Sequence, residues 1–182
     1  LLERQLGPEE ADEAWRWRAM LYKARVRHAM QEGDLEAFDK ASAALVEVGT
    51  EAAHMPTLAF ALETQVVSSF ERKDWTRMAR QAEARVALEP GRPSVDALGL
   101  RSWARVMSAY SSGDTAGALQ AIQDARKGER PRPAVWMRLM GARAEILTEL
   151  EWTRDAQEAV NEYRSAAEQA GERNHELTAD LL

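Results

Sequence analysis

The sequence predicts an all-α fold, a right-handed α-solenoid of about four helical hairpins with eight or nine helices. A chain-breaking pair followed by the start of an apolar helix occurs at Gly33-Asp34, Lys73-Asp74 and Gly113-Asp114, and in weaker form at Glu151-Trp152. The pairs recur with a period of about 40 residues, within the range of roughly 20–50 residues that is typical of repeat arrays. No stretch shows the sustained alternation of apolar and polar residues that predicts a half-buried strand.

Size and composition are compatible with a single domain over residues 1–182. Hydrophobic residues make up 45% of the chain and charged residues 30%, enough for a packed interior and a solvated exterior. The absence of cysteine excludes disulfides and thiolate metal ligands, and it fits a reducing, cytoplasmic compartment. No apolar run approaches the length of a membrane-spanning helix, so we expect no membrane span. The net charge of −6 argues against direct binding to nucleic acid.

Prolines and glycines divide the chain into four predicted repeats, with partial repeats at both ends. The repeats cover approximately residues 8–49, 56–90, 94–130 and 132–171. In the first repeat, Pro8 suits the first turn of a helix that runs to about Gln31. Asp34 is placed to cap a second helix that ends near Gly49. The later repeats follow the same plan.

Two apolar layers recur on the first helix of successive repeats. They consist of Val26, Val66 and Val106, and of Met30, Phe70 and Tyr110. Because one hairpin has too little interior of its own, we expect each repeat to bury these residues on its neighbour. Helical spacing also predicts core positions for five tryptophans, namely Trp15, Trp75, Trp103, Trp136 and Trp152. Trp17 must point to a different face, so it is a candidate partner contact, with packing on a preceding helix as the alternative.

The second repeat carries the clearest resemblance to a known family. The segment from Lys73-Asp74-Trp75 through Ala82 to Leu88-Glu89-Pro90 resembles the tetratricopeptide repeat, in which a Gly-Asp-aromatic opening precedes small inward residues. Gly33-Asp34-Leu35 and Gly113-Asp114-Thr115 repeat the opening. The period is longer than is usual in that family, and this is similar to the helical sensor arrays of large bacterial signalling ATPases and transcription activators. The resemblance implies an interaction scaffold with a concave groove lined by the first helices.

Polar residues at equivalent positions of the first helices form a candidate binding column. Its members are Arg25, Gln65 and Arg105, then His28, Ser68 and Ser108 one turn later, with Arg101 and Arg143 extending the strip. Guanidinium groups suit carboxylate or phosphate, so a groove with these residues would bind a protein, a peptide or a small acidic ligand. The alternative interpretation is a row of solvated charges that pair with nearby glutamates.

Motifs for catalysis and cofactor binding are missing from the sequence. His28, His54 and His175 are far apart without a second histidine at metal-ligand spacing, and no phosphate-cradling glycine loop occurs. We therefore expect that the protein binds no metal and no cofactor and that it is not an enzyme.

The leading hypothesis for the function is a non-catalytic protein- or peptide-binding scaffold, part of a longer protein. The second is a ligand-sensing regulatory domain of a larger bacterial signalling or transcription-activator protein. Homodimerisation through uncapped apolar ends is a further alternative.

The predicted layers can be tested with Phe70→Asp. Each large apolar side chain buried in such a layer contributes about 1.5–3 kcal/mol, so the substitution should lower the melting temperature. Calorimetry measures the change. An unchanged transition would show that the assumed register of the repeats is wrong.

Overall fold

The computed structural model describes residues 8–171, with side chains from Glu13 onward. This part of the chain forms eight α-helices and no strand, which confirms the predicted all-α fold. The helices are α1 (Pro8–Glu32), α2 (Leu35–Glu51), α3 (Met55–Glu71), α4 (Trp75–Ala87), α5 (Val95–Ser111), α6 (Thr115–Lys127), α7 (Pro133–Glu149) and α8 (Thr153–Ala170). Helix α1 ends one residue after the predicted Gln31, and α2 runs two residues past the predicted end at Gly49.

One turn geometry recurs where a helix reverses into its partner. A residue just past the end of the first helix adopts a left-handed conformation, with φ of 70° at Gly33, 57° at Lys73, 83° at Gly113 and 56° at Glu151. In each turn the next backbone N–H donates to the carbonyl oxygen five residues earlier. These N···O distances are 2.9 Å for Asp34, Asp74 and Asp114 and 3.1 Å for Trp152. The bond satisfies a carbonyl that the helix end would otherwise leave without a partner, as in a Schellman motif.

An aspartate begins the second helix after three of these turns. The side chain accepts from the backbone N–H three residues later, at 2.9 Å for Asp34, 2.9 Å for Asp74 and 2.8 Å for Asp114. An N-cap of this kind contributes about 1 kcal/mol to helix stability. In the fourth turn Trp152 occupies the equivalent position and makes no side-chain cap bond.

The chain divides into two compact units, and the first, Leu1–Leu88, contains α1–α4. Its core has side chains from three helices. They are Ala19, Val26 and Ala29 of α1, Phe38, Ala41, Leu45 and Val48 of α2, and Ala61 of α3. These residues of α1 and α2 are spaced three, four or seven positions apart, which places them on one stripe of each helix. The pairing of α3 with α4 buries Val66, Met78 and Ala82.

The second unit, Glu89–Leu182, is built around α7. This helix packs against α5, α6 and α8, and Met137, Leu139, Met140 and Ile146 are buried on several of its sides. Two glycines allow close approach of its neighbours. A Cβ at Gly99 of α5 would lie 2.8 Å from Cγ1 of Val135, and one at Gly141 of α7 would lie 3.2 Å from the Tyr163 ring.

The predicted layers are confirmed only in part. Val26, Val66 and Val106 are all buried, with 2%, 0% and 0% of their surface exposed. The prediction for Met30 is wrong: it is 53% exposed, because Ala29, three residues after Val26, takes the buried position. Phe70 is half-buried with its ring edge towards Trp75, at a centroid distance of 6.0 Å.

Tyr110, the third member of that layer, is also only half-buried. Its hydroxyl group donates a hydrogen bond to the carboxylate of Glu149. Burial and this bond raise the pKa of Tyr110 well above its usual range, so the donor proton is retained.

The tryptophans that were predicted to lie in the core differ in how far they are buried. Trp103 and Trp136 are buried, as predicted, and Trp15 and Trp75 are half-buried. The prediction for Trp152 is wrong, since it is 52% exposed. It stands at the N-cap position of α8, one turn before Ala156, the first buried residue of that helix.

The turn geometry predicts that Lys73→Gly stabilises the protein. A non-glycine residue in the left-handed region is strained by about 1–2 kcal/mol. Glycine removes this strain, but the greater entropy of the unfolded chain lowers stability by about 0.4–1 kcal/mol. The free energy of unfolding should therefore rise by about 0.5–1 kcal/mol. Urea unfolding measures the change. The reciprocal variant Gly113→Lys should lose a similar amount, and destabilisation by Lys73→Gly would contradict the assigned turn.

Candidate functional site

The predicted column residues lie in both units, and each unit contains one cleft that some of them line. Arg101 and Arg105 line a cleft of the second unit, and Arg25 and His28 line a cleft of the first. Gln65, Ser68, Ser108 and Arg143 line neither of these two clefts. The structure therefore separates the predicted residues into groups with different environments.

The larger cleft, the α5–α6 cleft, has a volume of about 980 Å³. It lies between α5 and α6 and is bordered by residues 89–94 before α5 and 128–131 after α6. Small residues of α6 face it, namely Gly117, Ala121 and Ala125, and Leu98 and Gly99 of α5 belong to its apolar lining. Because these α6 side chains are short, the two helices leave a space that larger residues would fill.

Gly99 also determines where one border of this cleft lies. A Cβ at this position would approach Cγ of Pro131 to 2.9 Å. Glycine therefore allows the segment that joins α6 to α7 to lie directly against α5. A larger residue would force this segment away and change the shape of the cleft.

Three arginines of the α5–α6 cleft carry its positive charge, namely Arg92, Arg101 and Arg105. Two of its carboxylates are held by neighbours within the unit. Glu89 accepts a hydrogen bond from the backbone N–H of Ser94, and Asp124 accepts one from Nζ of Lys127 at 2.8 Å. The bond from Lys127 lowers the pKa of Asp124, which stays ionised at neutral pH.

The smaller cleft, the α1–α2 cleft, has a volume of about 440 Å³. Tyr22, Arg25 and His28 of α1 face Ala37, Lys40, Ala41 and Ala44 of α2 across it. The Arg25 guanidinium lies over the Tyr22 ring, 5.5 Å from its centroid. The residues that line this cleft correspond to residues of the larger cleft two repeats later in the sequence. Arg25 corresponds to Arg105, and Ala41 corresponds to Ala121. The two clefts occupy equivalent positions on their hairpins.

The equivalent face of the α3–α4 hairpin is occupied by α2. The carboxylate of Asp39 in α2 accepts from Oγ of Ser68 at 2.6 Å and from Nη1 of Arg77 at 3.0 Å. Nε of Arg72 lies 3.2 Å from the same carboxylate. Ser68, a member of the predicted column, is fully buried. Its hydroxyl group instead binds α3 to α2.

A hydrogen-bonded chain continues from Asp39 into the α3–α4 hairpin. With its amide oriented to satisfy all neighbours, buried Gln81 accepts from Nε of Arg77 at 3.0 Å and donates to Oγ of Ser69 at 2.6 Å. It also donates at 2.8 Å to the main-chain carbonyl oxygen of Gln65, whose side chain is half-buried. Gln65 is thus placed beside a structural network.

The remaining predicted residues differ in exposure. Arg143 is buried, and its Nη1 lies 3.0 Å from the carboxylate of Glu162, so it joins α7 to α8. Ser108 is half-buried. Trp17 is 67% exposed on α1, which agrees with its separation from Trp15.

The network around Asp39 was not predicted from the sequence. The predicted column consists of positions that are polar in successive repeats, whereas the equivalents of Asp39 are the apolar residues Ala79 and Leu119. The signal in the sequence was that Asp39 is acidic where the equivalent residues of the other repeats are apolar. The buried ion pair between Arg85 and Glu63, at 3.2 Å, was missed for the same reason, because its arginine is Leu45 in the first repeat.

The histidines do not gather into a metal site in the described part of the chain. No group of three metal-ligating side chains occurs between residues 13 and 171. Nδ1 of His54 lies 2.9 Å from Oγ1 of Thr57, and its ring lies 4.7 Å from the Trp15 ring. His175 lies outside the described residues. Among the described helices, none is long and apolar enough to cross a membrane.

Comparison with models of protein families, with curated proteins and with solved structures gave no significant match. The resemblance to the tetratricopeptide repeat therefore stays a prediction based on the residues quoted above.

The Asp39 network predicts that Asp39→Ala destabilises the first unit. The change leaves Ser68, Arg72 and Arg77 without their shared acceptor, and a hydrogen bond to a charged group contributes about 1.5–3 kcal/mol, so we expect a loss of about 2–3 kcal/mol in urea unfolding. The control is Glu36→Ala on the same helix, which removes an exposed pair with Lys40 at 2.7 Å and should cost less than about 0.5 kcal/mol. Equal effects of the two variants would contradict the assigned role.

Proposed function

We propose that this protein is a non-catalytic, peptide-binding helical-repeat scaffold and that the α5–α6 cleft binds an acidic peptide. The observation that carries the proposal is the cleft itself, about 980 Å³ with three arginines around an apolar floor. Arginine binds carboxylates through a planar fork of donors, and the apolar floor accommodates the side chains between them. The partner is thus a peptide in which acidic and apolar residues are mixed.

The first unit supplies an internal example of this chemistry. The face of the α3–α4 hairpin equivalent to the two clefts binds the carboxylate of Asp39 through Arg72, Arg77 and Ser68. An acidic side chain is therefore a ligand that a hairpin of this protein accepts. In the α5–α6 cleft, Arg101 and Arg105 offer the same type of donor from different positions.

The proposal includes the repeat architecture. The recurring left-handed turns and aspartate caps support four successive hairpins of a right-handed solenoid, as in tetratricopeptide repeats. Repeat arrays of this kind are used as extended binding surfaces. Two further statements stay predictions from the sequence: the chain is part of a longer protein, and it is cytoplasmic.

A second candidate function is ligand sensing within a larger signalling or transcription-activator protein. The volume of the α5–α6 cleft favours it, because small-molecule pockets occupy about 300–1,000 Å³. The ligand would be a small carboxylate or phosphate, which uses the same arginines as an acidic peptide.

Peptide binding is tested by fluorescence anisotropy with labelled peptides that mix Asp or Glu with apolar residues. Arg101→Ala/Arg105→Ala should weaken binding about 100-fold or more, since each of the two arginines loses a charged hydrogen bond that contributes about 1.5–3 kcal/mol. Arg25→Ala, at the equivalent position of the α1–α2 cleft, and Arg154→Ala, on the exposed start of α8, are matched controls that should leave affinity unchanged. Equal binding of lysine-containing peptides would contradict the proposal.

A thermal-shift series with small carboxylates and phosphates distinguishes the two candidates. A ligand at a hundred times its dissociation constant stabilises the protein by about 2.7 kcal/mol, which a melt resolves. Stabilisation by a small anion that is lost in Arg101→Ala/Arg105→Ala favours the sensor. Binding of peptides alone favours the scaffold.

A further inference from the structure

Helix α1 has a second apolar face, which is exposed. Trp17, Met20 and Leu21 are 67%, 60% and 50% exposed, although the opposite side of the helix carries the buried residues Ala19, Val26 and Ala29. An exposed cluster of large apolar side chains on one helix is typical of an interaction surface. The charged and polar residues on either side of the cluster are also exposed.

The exposed face has the spacing of a coiled-coil seam. Its residues follow one another at alternating intervals of four and three, as Glu13, Trp17, Met20, Ala24, Arg27 and Gln31. Alternation of this kind places side chains in one stripe that faces a partner helix. From Glu13 to Gln31 the stripe extends over about 27 Å of helix, at a rise of roughly 1.5 Å per residue.

We propose that this face, the α1 seam, pairs with the α1 seam of a second copy of the chain in antiparallel orientation. With the two-fold axis beside Tyr22, Met20 of each copy lies opposite Ala24 of the other. Trp17 lies opposite Arg27, and Glu13 lies opposite Gln31. The bulky Met20 thus meets the small Ala24, and Trp17 meets a guanidinium that can stack on its ring.

The sequence of the α1 seam favours the antiparallel over the parallel orientation. A parallel pair would place Glu13 beside Glu13 and Arg27 beside Arg27, which brings like charges together. It would also place Ala24 beside Ala24, which leaves a gap, and Trp17 beside Trp17, which crowds the seam. The antiparallel pair is isologous and closes on itself, so it produces a dimer and no larger assembly.

This dimer goes beyond the proposed function and does not depend on it. It also differs from pairing through the chain ends, because the contacts lie along α1 between Glu13 and Gln31. Two copies would present two α5–α6 clefts, so a partner with two acidic segments would gain avidity.

Sedimentation equilibrium of the full chain over a range of concentrations tests the dimer. A single helix pair forms a small interface, so we expect the average mass to rise with concentration from the monomer value to twice that value. Met20→Glu should keep the monomer mass throughout, with an unchanged circular dichroism spectrum because Met20 is exposed. The matched control is Met55→Glu, an exposed methionine of α3, which should dimerise like the parent chain.

A monomer mass of the parent chain at every concentration would overturn the proposal and leave the α1 seam to a different protein. Dimerisation that survives Met20→Glu would also overturn it, since the contact would then lie elsewhere, for example at the chain ends.

Cross-linking tests the orientation, because the chain has no native cysteine. Variants Glu13→Cys and Gln31→Cys are mixed and treated with a short bis-maleimide. An antiparallel pair brings the two different cysteines together, so the cross-linked dimer should form in the mixture and not in either variant alone. A parallel pair would cross-link each variant alone. Lys40→Cys on α2 is the control for random collision.

Discussion

The left-handed turn that joins paired helices is the constraint on which the fold depends. At Gly33, Lys73, Gly113 and Glu151 one residue with positive φ ends a helix, and the next N–H satisfies a carbonyl five residues earlier. The geometry is required even where the residue is poorly suited to it, as at Lys73. Because the turn fixes the path of the chain into the next helix, the buried stripes of the two helices meet.

Equivalent positions of the hairpins have been put to different uses. On the α3–α4 hairpin, Arg72, Arg77 and Gln81 form a polar network with Asp39 of α2. The positions that match Arg77 and Gln81 on the α5–α6 hairpin are Gly117 and Ala121, whose short side chains leave a cleft. Side-chain volume at these two positions therefore differs between the structural interface and the candidate binding site.

The charge pattern explains how one chain can combine packing and recognition. Buried arginines such as Arg85 and Arg143 are held by glutamates of a neighbouring helix, and such pairs require good geometry to offset desolvation. The arginines of the α5–α6 cleft instead line the cleft. The same residue type thus serves stability in one place and is proposed to serve binding in another.

The sequence by itself determined the helices and their turns. Helical spacing, aspartate caps and chain-breaking residues are local signals, so they predicted an all-α chain of eight or nine helices. They also predicted the ends of α1 and α2 within one or two residues, together with the buried valine layer. Only the tertiary structure decided which side chains are covered. Met30 and Trp152 are exposed, Ser68 is buried, and Asp39 joins two hairpins. Burial depends on where neighbouring helices lie, and a local pattern of one helix does not contain that position.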